Sequence, residues 1–215
     1  MKLYLSSYRL GNDTSVLKNW LLTHDNNILV IPNALDVFPD GERKSNSIED
    51  KNKDLVELGF APKILDLRNY FSKPEDLKND IKDYKSFFVQ GGNTFTLRRA
   101  MKLSGFDNYL KSISEKPDYL YSGFSAGICV LAKDLHGLDL VDDPNIDPYD
   151  DGKIIWDGVG LIDIVPVAHF DTPSHPESRF MNDVVKYLGE HHVYYKTLKD
   201  GDVIVEDIKD RGLCL

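Results

Sequence analysis

The run Gly123-Phe124-Ser125-Ala126-Gly127 carries the strongest chemical signal in the sequence. A serine hydroxyl becomes a nucleophile when a strained turn between a strand and a helix exposes it and a nearby base takes its proton. Gly-x-Ser-x-Gly is the pattern such a turn leaves in sequence. The glycines spare the turn the Cβ atoms that would crowd it, and a helix opening at Ala126 helps stabilise negative charge at the serine. The motif also has a plainer reading, in which Ser125 only N-caps the helix and the glycines serve a tight turn.

A second turn complements the first. In Gln90-Gly91-Gly92-Asn93-Thr94 two glycines stand where an apolar run ends and a helical segment begins, so backbone N–H groups can face a ligand directly. Acyl transfer passes through an oxyanion that needs fixed donors. One N–H near Gly92 together with that of Ala126 would supply two, with Gly91 and Asn93 beside the substrate. The plainer reading is an ordinary strand-to-helix turn with Asn93 as its N-cap.

A serine nucleophile needs a general base, and six histidines are available. His169 is the best placed, directly after the apolar run from Ile162 to Ala168 and hence at a strand end. His175 follows in a proline-flanked loop, whereas His24, His136, His191 and His192 fall in helix ends or surface turns. The chain order of α/β hydrolases would make Asp163 or an acidic-loop residue the group that orients the base. Order alone leaves that choice open against an acid placed after His169.

These residues need a scaffold that gathers them. Short apolar runs bounded by turn residues recur at 3–5, 28–31, 63–67, 87–89, 119–121 and 164–168, and read as buried strands. Between them lie segments of helical spacing at 14–23, 47–58, 74–84, 94–103 and 179–188, and a helix-compatible run at 126–132. Strand alternating with helix predicts an α/β fold, a doubly wound, mostly parallel sheet with helices on both faces. Ligands bind such sheets beyond the carboxyl ends of the strands, where both glycine turns and His169 fall.

With 215 residues, 41% of them hydrophobic, the chain can build one sizeable core, and the expectation is a single domain over 1–215. A formal net charge of −9 repels polyanions, so neither nucleic acid nor an anionic membrane is an expected partner. No stretch approaches the roughly 20 apolar residues of a spanning helix, and the N-terminus reads as a first strand rather than a signal peptide. The two cysteines suit a reducing, cytoplasmic setting: Cys129 as inert packing on the face of Ser125, Cys214 as part of a frayed terminus. Residues 139–152 hold six aspartates, Asp139 included, and Gly152 marks their end, but the ordered spacing of a calcium loop is missing, so a surface loop beside the site is expected and no metal. No dinucleotide or Walker pattern occurs, and no organic cofactor is implied.

Taken together, Gly91-Gly92-Asn93-Thr94-Phe95, Gly123-Phe124-Ser125-Ala126-Gly127 and Val165-Pro166-Val167-Ala168-His169-Phe170 resemble the peptidase E family, the aspartyl dipeptidases among the S51 serine peptidases. The order and spacing match over nearly the whole chain. The resemblance implies a fold similar to class I glutamine amidotransferases and flavodoxin, with Ser125 as nucleophile and His169 as base. It further implies an acid in a C-terminal Leu-x-acid-Gly turn; Leu198-Lys199-Asp200-Gly201 fits, which makes Asp200 the orienter. Family members that cleave Asp-Xaa dipeptides hold the aspartate carboxylate with an arginine after the histidine loop, and Arg179 is the matching position. Its planar fork suits a carboxylate, although a surface ion pair is the plainer role for such a residue.

The expected activity is hydrolysis of small peptides, dipeptides with N-terminal aspartate foremost, by a Ser-His-Asp triad through an acyl-enzyme, in a monomer or homodimer. A relative acting on another amide or isopeptide, or a non-catalytic ligand-binding protein on the same fold, are the alternatives.

Overall fold

Residues 1–208 are described by the computed structural model. In chain order the elements are β1 (Lys2–Ser6), α1 (Ser15–Leu21), β2 (Asn27–Ile31), α2 (Glu42–Leu58), β3 (Ala61–Ile64), α3 (Pro74–Ile81), β4 (Ser86–Val89), α4 (Thr94–Ser104), α5 (Phe106–Ile113) and β5 (Leu120–Phe124). They continue with α6 (Ala126–Cys129), β6 (Val165–Val167), α7 (Met181–Glu190), β7 (Tyr195–Thr197) and β8 (Val203–Asp207).

Six strands form one sheet in the order β3-β2-β4-β5-β1-β8. All neighbours pair in parallel except the edge strand β8, which runs antiparallel to β1 with Leu5 opposite Ile204. The strand residues alternate strictly between two cores, as a pleat with both faces covered requires. Leu3, Leu5, Leu29, Ile31, Phe87, Val89 and Tyr121 pack under Leu97 and Met101 of α4 and Phe106 and Leu110 of α5. Tyr4, Ile28, Val30, Phe88 and Leu120 face the other way, onto Leu17 and Trp20 of α1 and Leu55 of α2. This is the doubly wound α/β arrangement expected from the sequence.

Because β1, β2, β4 and β5 are parallel, their carboxyl ends share one edge of the sheet. Ser7 and Ser125 follow those ends directly, and Gly91 and Ala34 come two and three residues after theirs. A second, two-stranded sheet pairs β6 with β7 in parallel, Val167 opposite Thr197, and delivers His169 and Asp200 just beyond its strands.

Two expectations need correction. The helix read over 126–132 stops at Cys129, because Val130, Leu131 and Ala132 turn their carbonyls to the N–H groups of Val159, Leu161 and Gly160. The strand read at 63–67 ends at Ile64, and Leu67 opens a 3-10 turn capped by the Asp66 carboxylate. The acidic segment lacks helix and strand over most of its length, as a loop should, and buried Arg99 anchors it by donating to the carbonyls of Pro144, Ile146 and Lys153. Cys214 lies outside the described residues. No helix among the described residues is long and apolar enough to cross a membrane.

Candidate active site

Ser125 stands at the end of β5 with φ 52° and ψ −123°, a conformation that costs a non-glycine residue about 1–3 kcal/mol. The packing around the turn fixes that conformation. Cβ atoms at positions 123 and 127 would lie 2.7 and 2.2 Å from the carbonyl oxygen of Val89, so both glycines are needed for the turn to sit against the end of β4. The Ser125 side chain makes no capping hydrogen bond to α6, which removes the plainer reading of this residue.

The glycine turn after β4 closes on the same point. A Cβ at position 91 would meet Ser125 Cβ at 2.8 Å, and Gly92, at φ +147°, passes so close to Ala34 that a Cβ there would lie 2.3 Å from its carbonyl oxygen. Among the described residues no backbone hydrogen bond engages the N–H of Gly91, Gly92 or Ala126. Asn93, by contrast, is occupied. Its Oδ1 accepts from Thr96 N at 2.8 Å to cap α4, and its Nδ2 donates to the Asp143 carbonyl at 3.1 Å. Its side chain therefore braces the turn and ties down the acidic loop.

His169 is buried and holds φ 60° just after β6. Its Nδ1 lies 2.6 Å from Asp200 Oδ1, so the assigned tautomer places the proton on Nδ1 and the lone pair on Nε2. Ser7 completes the support: its Oγ accepts from His169 N at 2.8 Å and donates to Asp200 Oδ1 at 3.0 Å. Asp200 N donates to Thr172 Oγ1 at 3.0 Å. Burial lowers the His169 pKa from its ordinary 6.5, with Asp200 pulling it back up and His175 adding to the fall. The imidazole is thus neutral at pH 7, the form a general base needs.

Ser125, Ala126 and Ala168 line one narrow cavity of about 30 Å³ together with Thr94, Asp142 and Glu177. Glu177 is the group that inspection of the sequence misses. Its Oε2 lies 3.8 Å from His169 Nε2, with a side chain 39% exposed. Burial first, then the charges of Asp142 and Asp200, push its pKa up to about 7. Asp142, whose Oδ2 accepts from Thr94 N at 2.8 Å, is raised by burial to about 6 despite that hydrogen bond. Cys129 donates its Sγ–H to Pro166 O at 3.2 Å, and burial pushes its thiol pKa far up, as inert packing requires. No hydrogen bond joins Ser125 Oγ to His169 among the described residues; such contacts often tighten only when substrate is bound.

His175 stacks on His169 with centroids 3.6 Å apart and planes 2° from parallel. Its Nδ1 accepts from Glu177 N at 3.4 Å, which sets the turn that carries Glu177. His169, His175 and Glu177 together offer metal-ligand atoms within 4.8 Å of one another. Parallel stacked rings send their in-plane lone pairs side by side rather than to one point, so the trio suits stacking and hydrogen bonding better than chelation.

Arg179 sits outside this cavity. It is exposed, lies 4.5 Å over the Phe180 ring, and faces a broad cleft of about 620 Å³ shared with Phe170, Ser178 and His175. Among the described residues no carboxylate pairs with it. His175, stacked on His169, lines the Arg179 cleft, while its neighbour Glu177 lines the Ser125 cavity.

Comparison with known proteins agrees with this architecture. The model of a family described as peptidase family S51 matches residues 8–209. Among solved structures, a protein from Listeria monocytogenes EGD-e that its description assigns to peptidase E superposes with a TM-score of 0.72 at 19% identity, covering 96% of this chain and 98% of that one. A peptidase from an acI-B1 actinobacterium superposes with a TM-score of 0.64 at 16% identity, covering 95% and 82%. No curated protein matches the chain.

Proposed function

Since the chain belongs to peptidase family S51, we propose that it is a serine peptidase that cleaves small peptides, dipeptides with N-terminal aspartate foremost, through Ser125, His169 and Asp200. The observation that carries this reading is the strained, uncapped Ser125 at a strand end, in a cavity also lined by Ala168, the residue directly before a neutral histidine bonded at 2.6 Å to a carboxylate.

In the proposed reaction His169 Nε2 takes the Ser125 hydroxyl proton as Oγ attacks the scissile carbonyl carbon. The carbonyl electron pair moves to oxygen, where the N–H groups of Gly92 and Ala126 receive the negative charge. Asp200 fixes the imidazole and stabilises the imidazolium that forms. Collapse of the intermediate expels the amine, which leaves with the proton from His169, and the acyl group stays on Ser125. Water activated by the same histidine then hydrolyses the ester. Arg179, in the cleft lined by His175, serves the substrate's aspartate carboxylate, and no carboxylate among the described residues competes for it.

A dipeptide panel tests the reading. Purified protein should release both amino acids from Asp-Xaa dipeptides, and Ser125→Ala should abolish release. Cleavage of aspartyl isopeptides in preference to Asp-Xaa would move the assignment to the alternative substrate class, and no hydrolysis of any member by folded protein would end it.

A further inference from the structure

The carboxylate that shares the Ser125 cavity, Glu177, has no lysine or arginine to balance it among the described residues. Its one ionic neighbour among them is His169 Nε2 at 3.8 Å, the nitrogen that must stay uncharged to act as a base. Glu177 is not placed there by accident of a loose loop. Pro176 and the hydrogen bond from Glu177 N to His175 Nδ1 fix its turn, and His175 is itself stacked on His169. Holding a half-buried, unbalanced carboxylate beside a second one, Asp142, costs stability unless a ligand supplies the missing charge.

On the reading that Ser125 attacks a peptide carbonyl, we propose that Glu177 binds the α-ammonium group of the substrate, which confines the enzyme to peptides with a free N-terminus. The geometry is close. In an N-terminal residue the ammonium nitrogen lies about 2.5 Å from the scissile carbonyl carbon, set by the N–Cα and Cα–C bonds. A carboxylate that grips it must stand within one further hydrogen bond, about 2.8 Å, of that nitrogen. Glu177 is the carboxylate placed for this, because it lines the cavity of Ser125 and stands 3.8 Å from Nε2 of the base. The charges divide the substrate accordingly, with Glu177 and Asp142 lining the Ser125 cavity and Arg179 lining the cleft that takes the first side chain. Asp142 adds negative potential, yet its Oδ2 is engaged by Thr94 N, which leaves Glu177 as the direct partner.

The test compares two probes of Ser125, one with an α-ammonium and one without. With the best dipeptide of the panel, Glu177→Gln should lower kcat/KM about 100-fold, chiefly through KM, in proportion to a lost charged hydrogen bond. Inactivation by a small amine-free fluorophosphonate should fall at least tenfold less. Glu177→Asp should recover part of the dipeptide activity. Equal losses with both probes would show that Glu177 acts through His169 and would overturn the proposal, as would wild-type dipeptide kinetics in Glu177→Gln. Wild-type protein whose Ser125 fails to react with the fluorophosphonate would instead remove the peptidase reading itself, and the proposal with it.

Discussion

Replacing Asp200 with Asn tests whether the His169–Asp200 pair works as a unit, because the change removes one negative charge and almost no volume. Nδ1 and Oδ1 are 2.6 Å apart, which puts the centres of an imidazolium and a carboxylate about 4 Å apart. At that distance and an effective dielectric of about 20 the attraction is about 4 kcal/mol. The Asp200 side chain is 19% exposed, so solvent screens only part of this. The attraction exists only while His169 is charged, that is, in the transition state and intermediate. Its loss should therefore appear in kcat, as a fall of about 10²–10³-fold at 1.36 kcal/mol per decade. Since Asp200 raises the His169 pKa, the same variant should also move the acid limb of kcat to lower pH. The assay is kcat against pH for the best dipeptide, with thermal unfolding as the control for folding. A folded Asp200→Asn protein within about threefold of wild-type kcat would refute the role assigned to this carboxylate.

Further outcomes follow from the same geometry. Gly127→Ala forces a Cβ to within 2.2 Å of the Val89 carbonyl oxygen and should cost about 1–3 kcal/mol as overpacking, read as a fall of several degrees in Tm, with loss of activity. Arg179→Ala should leave Tm unchanged, since the side chain is exposed and has no carboxylate partner among the described residues. It should raise KM for Asp-Xaa about 10–100-fold while sparing Ala-Xaa, and Arg179→Lys should restore only part of the loss. With Glu177 raised to about 7 and needed in its charged form, kcat/KM for dipeptides should rise with pH through about 7, and Glu177→Gln should shift that limb below 6.5. The same raised pKa means that the folded state binds the Glu177 proton more tightly than the unfolded chain does. Its contribution to stability is thus lost as pH rises from about 4.5 to about 7. Glu177→Gln should accordingly stabilise the fold more at pH 8 than at pH 5, by no more than about 1 kcal/mol once solvent screening is allowed for, read as a larger rise in Tm at pH 8.

The nucleophile turn and the parallel sheet are legible in the sequence because local rules dictate both. Gly123 and Gly127 announce a close approach of two backbones, and runs such as Phe87-Phe88-Val89 announce strands buried on both faces. His169 could be placed because an apolar run ends at Ala168. The supporting groups carry no such signal. Ser7 matters only because β1 lies beside β5 and antiparallel β8 in the folded sheet, and that order of strands is a tertiary fact. Glu177 reads as a solvated residue after a proline until the histidine stack turns it toward Ser125. β7 is short and exposed, with Tyr195 and Lys196 outward, and gives no apolar run to find. Helix α6 ends early because Val130–Ala132 pair with residues some 30 positions on, a competition invisible to helical periodicity. Asn93 shows the converse: the capping residue that local rules anticipate is the one present, and its amide also holds the loop at Asp143.

The central claim is that Ser125 is an activated nucleophile served by His169. Incubating the wild-type protein with a fluorophosphonate and mapping the adduct by mass spectrometry tests it most directly. The account predicts one adduct per chain, on Ser125, formed at a rate that collapses in His169→Ala; an unmodified Ser125 in folded protein, or an equal rate without His169, would contradict it.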